Sequence, residues 1–127
     1  MRAKIITIIG CLLLVAGISA VEQLSVHRIV HKALDETREI RTDIRTGLLE
    51  EAEKKAHALN RTWDEEARMI EMLVDHGPTD DVRYALSKLL AALEGGARAA
   101  ALVYASELEG GIERVHERQV ITMENLL

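Results

Sequence analysis

The sequence has few cysteine, proline and aromatic residues, and each scarcity excludes a class of protein. With a single cysteine, Cys11, the chain cannot form an internal disulfide, which excludes a small disulfide-stabilised scaffold. Aromatic residues make up 2% of the chain and Phe is absent, so the core must consist of Leu, Ile, Val, Ala and Met. One proline and long stretches rich in Ala, Glu, Arg and Leu leave little room for a β-sheet. A hydrophobic fraction of 48% excludes an intrinsically disordered chain.

The charge of the chain is acidic and unevenly distributed. Its 127 residues leave room for one domain, with 16 basic and 21 acidic residues in total. Arg2 and Lys4 are the only charged residues before residue 22. The other fourteen basic residues and all 21 acidic residues therefore lie in 22–127, where the net charge is about −7. Phosphate backbones and anionic lipid headgroups would repel such a domain. We therefore expect no nucleic-acid partner.

An uncharged apolar segment follows the two N-terminal cations. It runs from Ile5 to Val21, and 17 helical residues span roughly 26 Å, close to the ~30 Å hydrocarbon core of a bilayer. The positive-inside rule assigns Arg2 and Lys4 to the cytoplasm. The sequence therefore predicts a single-pass protein of the cell membrane. Residues 1–21 form a cytoplasmic stub and transmembrane anchor, and residues 22–127 form an extracytoplasmic helical bundle domain.

Two other interpretations of this segment remain open. A signal peptidase could cleave after Ile18-Ser19-Ala20, although Ile18 occupies a position where a small residue is preferred. Ile8-Ile9-Gly10-Cys11 is similar to a lipoprotein signal, but the apolar run before the cysteine is shorter than such a signal requires. We favour the uncleaved anchor.

Apolar residues recur at helical spacing along four segments of the remaining chain. The first continues from the anchor without Gly or Pro and ends at Thr46-Gly47, where Gly47 can adopt a left-handed cap. The second ends at His76-Gly77-Pro78, and Thr79 is the expected N-cap of the third. Glu94-Gly95-Gly96 forms the next turn, and Gly110-Gly111 is expected to weaken or kink the fourth helix without breaking it.

Each of the four segments carries one apolar stripe. The stripe of the first segment is Val26, Val30, Ala33, Thr37, Ile40 and Ile44, and that of the second is Leu49, Ala52, Ala56, Leu59, Trp63, Ala67, Ile70 and Val74. The stripe of the third is Val82, Leu86, Leu89 and Leu93, and that of the fourth is Ala101, Ala105, Leu108, Ile112 and Val115.

These stripes predict an all-α fold in which the transmembrane helix continues into an antiparallel bundle of about four amphipathic helices. Each stripe must be buried against the others, and the short connections favour antiparallel neighbours.

Few residues have the spacing that is typical of a catalytic or metal-binding site. His27, His31 and Asp35 are spaced four apart and could hold a metal ion, but the sequence shows no third firm ligand, so we interpret them as a polar flank. His57 and His116 are expected to be isolated and solvated. The acidic residues alternate with Arg and Lys on what we expect to be outward faces. No nucleophile, P-loop or metalloprotease motif occurs. We predict no catalytic, cofactor-binding or metal site, no cofactor and no enzymatic activity.

The sequence resembles a known protein family at several short motifs. These are Trp63, the Val74-Asp75-His76 segment, the spacing of Leu86 and Leu89, and the terminal Glu124-Asn125-Leu126-Leu127. Together with the N-terminal anchor, they are similar to a family of small membrane-anchored helical bacterial proteins, domain of unknown function 4363. The resemblance marks Trp63, His76 and Asn125 as family-motif positions of unknown role, and it implies no activity.

We expect structural roles for the three family-motif positions. Trp63 is expected to be the largest side chain of the core. His76 is expected to cap a helix end, and Asn125 to cap or to bond to a neighbouring backbone.

The combined features favour a non-enzymatic accessory or protein-interaction module at the outer face of a bacterial membrane, with another membrane protein as a possible partner. One alternative is an extracytoplasmic domain that senses a ligand or a metal through His27 and His31. Another is a secreted helical protein released by signal-peptide cleavage.

Overall fold

The structure is a computed structural model that describes the backbone of residues 1–73 and 76–126. The side chains of residues 22, 23, 72, 73, 76, 119 and 121–126 lie outside the description, as do residues 74, 75 and 127 altogether. Val74, Asp75, the side chain of His76 and the side chains of the C-terminal motif around Asn125 are therefore outside the described part of the chain.

Four helices account for nearly all of the described chain, and no strand occurs in 1–73 or 76–126. They are α1 (Arg2–Arg45), α2 (Leu49–Leu73), α3 (His76–Glu94) and α4 (Arg98–Leu126). Each helix packs against the next along the chain, and α4 packs back against α1. Because the connections span only a few residues, consecutive helices run antiparallel. The predicted all-α fold with four helices is confirmed.

The predicted apolar stripes form the core of the bundle. On α1, Val26, Val30, Ile40 and Ile44 are completely buried, and on the other helices nearly every described stripe residue is buried as well. Leu49, at the start of α2, is partly buried and packs against the edge of the core. Thr37 is the polar member of the α1 stripe, and its buried hydroxyl donates to the Ala33 carbonyl at 2.7 Å. The helical period of the sequence therefore identifies the buried faces.

Glycine ends two of the helices as the sequence predicts. Gly47 has φ of 83° and Gly96 has φ of 69°, values in the left-handed region that L side chains rarely adopt. The amide of Gly47 donates to the Ile44 carbonyl, and the amide of Gly96 donates to the Leu93 carbonyl. These bonds satisfy carbonyls that the helix ends would otherwise leave unpaired.

The predicted boundary between the second and third helices is wrong. His76, Gly77 and Pro78 do not end α2 but form the first turn of α3. Proline is tolerated there because the first N–H groups of a helix have no partner within it. Thr79 therefore lies inside α3 and is not its N-cap. Its buried hydroxyl donates instead to Glu71 Oε1 on α2 at 3.0 Å.

The first half of α1 extends beyond the bundle. Residues 1–21 are all exposed, and α1 is a single helix of 44 residues, about 66 Å long. Within the described residues, α1 is also the one helix long and apolar enough to cross a membrane, with a window of mean hydropathy 2.4 that is not buried at all. The predicted continuity of the apolar segment with the bundle is confirmed.

The glycine pair of α4 lies inside an unbroken helix, so the predicted absence of a break is confirmed. A Cβ added at Gly111 would lie 3.3 Å from Val82 Cγ2 on α3, closer than an ordinary contact. A Cβ at Gly110 would meet only the guanidinium of Arg114, at 3.6 Å. Gly111 therefore permits the close approach of α3 and α4, whereas Gly110 lies on the side of α4 where there is space.

We predict opposite effects of substitution at the two glycines. Gly110→Ala should stabilise the fold by up to about 1 kcal/mol, since alanine has the higher helix propensity. Gly111→Leu should destabilise it by about 1–3 kcal/mol, because the added side chain would press against buried Val82. Urea unfolding of the full chain in mild detergent, followed by circular dichroism, measures both changes. A Gly111→Leu variant as stable as the unmodified protein would contradict the close packing.

Candidate functional site

Three histidines meet at the contact between α1 and α4. The ring centroids of His27 and His31 are 4.2 Å apart, and those of His27 and His116 are 5.3 Å apart. The centroids of His31 and His116 are separated by 5.7 Å. One ring nitrogen from each histidine can be chosen so that the three nitrogens lie within 4.8 Å of one another. We call His27, His31 and His116 the histidine cluster.

The local sequence explains why the three side chains converge. His27 and His31 each follow a completely buried valine of the α1 stripe, and His116 follows buried Val115 on α4. A residue one position after a core residue lies on the flank of the core face of its helix. Since α1 and α4 are neighbours, the flanks of their core faces meet at the edge of the contact. The spacing of four places His27 and His31 one above the other there.

The environment of the cluster favours the neutral form of the His27 imidazole. The pKa of His27 is lowered, first by loss of solvation and then by the charges that His31 and His116 would carry when protonated. Nδ1 of His116 is buried and has no hydrogen-bond partner among the residues that the structure describes. Ring nitrogens of all three histidines therefore lie around the same small volume.

An ion-pair network fixes α1 against α4 further along the same contact. Glu109 on α4 accepts a hydrogen bond from Arg38 Nε at 3.3 Å and another from Arg41 Nη1. The Glu109 side chain is only 15% exposed, so these contacts are partly shielded from water. Arg38 and Glu109 each lie seven residues, or two turns, from a member of the histidine cluster. The network therefore limits sliding between the two helices that supply the cluster.

A second group of polar side chains connects α2 and α3. His57 Nε2 lies 3.8 Å from Glu53 on α2 and 3.6 Å from Glu94 on α3. All three side chains are substantially exposed, and a protonated imidazole would form ion pairs with the two carboxylates. This arrangement is typical of a solvated helix surface.

The structure corrects several expectations about polar residues. His116 is not isolated, since it contacts both α1 histidines, and His57 is not isolated, since two carboxylates flank it. Glu109 does not face solvent but is held between two arginines. Asp35 is not in the cluster; its 78% exposed side chain lies 3.8 Å from Arg38.

The three family-motif positions differ in what the structure describes. Trp63 is 1% exposed and is among the largest fully buried side chains, as expected. Its indole N–H is buried and has no partner within the described part of the chain. The side chains of His76 and Asn125 are outside that part, so their predicted capping roles stay predictions.

The sequence contains part of the signal that identifies His116. His27, His31 and His116 share one feature, a position directly after a buried stripe residue. The rest of the signal is the register between the two helices. The hydrogen bond from Arg98 to the Arg45 carbonyl places the start of α4 beside the end of α1. In the antiparallel register that follows, residue 116 lies level with residue 27. The stripe of a single helix does not reveal this match, because the match depends on two helices together.

The fold and the cluster define an antiparallel four-helix protein whose first helix is extended by an exposed apolar segment. The family model described as domain of unknown function (DUF4363) matches residues 21–126. The chain therefore belongs to this family, which confirms the predicted family resemblance. No curated protein and no solved structure matches the chain.

We predict that Glu109 stabilises the bundle more than a comparable surface carboxylate. Glu109→Gln should lower the free energy of unfolding by about 1–3 kcal/mol, because it weakens two charged hydrogen bonds to a side chain that is only 15% exposed. Glu107→Gln is the matched control. Glu107 lies two residues earlier on α4 and 3.7 Å from Lys88, with both side chains 49% exposed. The control should change stability by less than about 0.5 kcal/mol. Equal effects in urea unfolding would contradict the role of Glu109.

Proposed function

We propose that this protein is a single-pass membrane-anchored accessory module that holds a protein partner at the outer face of a bacterial cell membrane. The observation that carries the proposal is the division of α1. Its first half is apolar and fully exposed, and its second half supplies the buried stripe of the bundle. The helix has no interruption between these halves, so the proposed anchor and the bundle are joined by one continuous helix.

Transfer into a bilayer accounts for the exposed segment. Apolar side chains from Ile5 to Val21 cover all sides of the helix, and none of them packs within the bundle. A continuous apolar surface of this kind is unfavourable in water at about 25 cal/mol per Å². Lys4 can extend its ammonium group to the interface, which compensates for the slight shortness of the segment.

The charge distribution supports the orientation of the protein and the type of partner. Arg2 and Lys4 favour a cytoplasmic N-terminus. The excess of acidic residues beyond the anchor disfavours binding to anionic lipid headgroups or nucleic acid, which leaves proteins as the favoured partners. A partner that is itself in the membrane would meet the bundle at a fixed height above the bilayer. A non-enzymatic role is proposed because the sequence contains no nucleophile, P-loop or metalloprotease motif.

We predict that the N-terminus and the bundle lie on opposite sides of the membrane. Cys11→Ser gives a cysteine-free background, since the chain has one cysteine. Single cysteines are then introduced as Ala3→Cys, which keeps both N-terminal cations, and as Lys54→Cys, whose side chain is 76% exposed. An impermeant maleimide should label the residue 54 variant in intact protoplasts and the residue 3 variant only after lysis. Labelling in the reverse order would overturn the proposed orientation.

Cleavage of the segment is tested on the same protoplasts. The intact anchor predicts a protein that remains in the membrane pellet after alkaline extraction and whose mass includes residues 1–20. A mature protein that starts at Val21 would instead identify a secreted helical protein.

Partner recruitment requires a comparison of three forms of the protein. These are the full chain, residues 22–127 alone, and residues 1–21 fused to an unrelated soluble domain. The proposal predicts that a specific membrane protein copurifies in detergent with the full chain and not with the anchor fusion. Recovery of the same proteins with the full chain and the anchor fusion would refute recruitment by the bundle.

A second candidate function is ligand or metal sensing outside the cell. The observation that favours it is the convergence of His27, His31 and His116 at one edge of the bundle. It is compatible with anchoring, since the cluster begins six residues, or about 9 Å of helix, beyond Val21.

A further inference from the structure

We propose that His27, His31 and His116 form a binding site for a divalent transition-metal ion, with Zn²⁺ as the representative ion. This inference does not depend on membrane anchoring or on a protein partner. It rests on three imidazoles from two helices whose ring nitrogens converge to within 4.8 Å of one another.

The separations are compatible with a common metal ion after a small adjustment. Zn–N bonds of about 2.0–2.1 Å in tetrahedral geometry place two ligand nitrogens about 3.4 Å apart. The observed limit of 4.8 Å exceeds this distance by about 1.4 Å, which side-chain rotations can supply. The rings are inclined to one another by 49° to 67°, so they are not stacked face to face.

The contacts of the cluster favour metal binding over a purely structural role. Three imidazoles lie together, and among the residues that the structure describes no carboxylate belongs to the group. Nδ1 of His116 is buried without a partner among the described residues, and a buried polar atom left in this way is destabilising. A metal ion accepts lone pairs from several imidazoles at once. Binding of a metal ion would therefore make the close approach of the three imidazoles favourable.

The ligand set also indicates the class of ion. Imidazole nitrogen is suited to zinc, copper and nickel, whereas magnesium and calcium prefer oxygen ligands. Three protein ligands leave a fourth coordination position for water or an added ligand. His27 and His31 come from α1 and His116 from α4, so a bound ion would cross-link the helix that carries the exposed apolar segment to the last helix of the bundle.

The test uses the full chain in mild detergent, purified with a tag that contains no histidine and freed of metal with a chelator. Zn²⁺ should bind with a stoichiometry of one ion per chain in calorimetry. At a hundredfold excess over Kd it should raise Tm by about 10 °C, because it binds the folded state. Mg²⁺ at the same concentration should leave Tm unchanged. Absence of a Tm increase with Zn²⁺ would overturn the proposal.

Variants locate the ion within the chain. His27→Ala and His116→Ala should each abolish most of the Zn²⁺-dependent rise in Tm. His57→Ala is the matched control, because His57 lies beside two carboxylates that could bind an ion elsewhere, and it should retain the full rise. Retention of the rise in His116→Ala, or its loss in His57→Ala, would refute the assignment.

A spectroscopic measurement covers the case in which a variant is too unstable for a melting experiment. Co²⁺ bound with four ligands gives intense visible absorption bands that the hydrated ion lacks. The full chain should show these bands, and His31→Asn, a polar substitution on an exposed flank, should lose them while its helical circular dichroism stays unchanged. Bands that persist in His31→Asn would contradict three-histidine coordination.

Discussion

The buried stripe on the second half of α1 is the surface that closes the bundle. It packs against α2 on one side and α4 on the other, and α3 completes the bundle by contacting those two helices. The core combines large side chains such as Ile40 and Ile44 with alanines such as Ala56 and Ala105. Small residues let the helix axes approach closely, and large ones fill the remaining space. A core with so few aromatic residues is therefore possible in a slender bundle, where Trp63 is the one fully buried aromatic side chain among the described residues.

Helical periodicity is the property that made most of the fold predictable. Because each helix buries one face, its apolar residues recur at helical spacing in the sequence. Gly47 and Gly96 mark the turns, and they alone among the described residues have positive φ. The boundary at His76 was predicted wrongly because proline stops a preceding helix and also fits the first turn of a following one. The hydroxyl of Thr79 was assigned to a local cap, whereas the structure directs it to Glu71 on another helix.

The polar contacts were less predictable than the core because they join residues far apart in sequence. Glu109 lies 71 residues from Arg38, and nothing in the local pattern distinguishes it from its exposed neighbour Glu107. The i,i+4 pair of His27 and His31 is visible in the sequence, but the third imidazole depends on the register between α1 and α4. Such registers follow from the turn lengths and the packing of all four helices, so a helix-by-helix interpretation does not reveal them.

The uninterrupted course of α1 also fixes the rotational orientation of the bundle relative to the apolar segment. Each residue of an α-helix turns the chain by about 100° and advances it by 1.5 Å, so the face of the apolar segment and the face of the bundle keep a constant rotational phase. Inserting one residue between Val21 and Val26 would turn the bundle by more than a quarter of a circle and barely change its height. A neighbour that packs against one face of the apolar segment would therefore meet one defined face of the bundle. A rotation of the apolar segment about its axis would turn the bundle in the same direction.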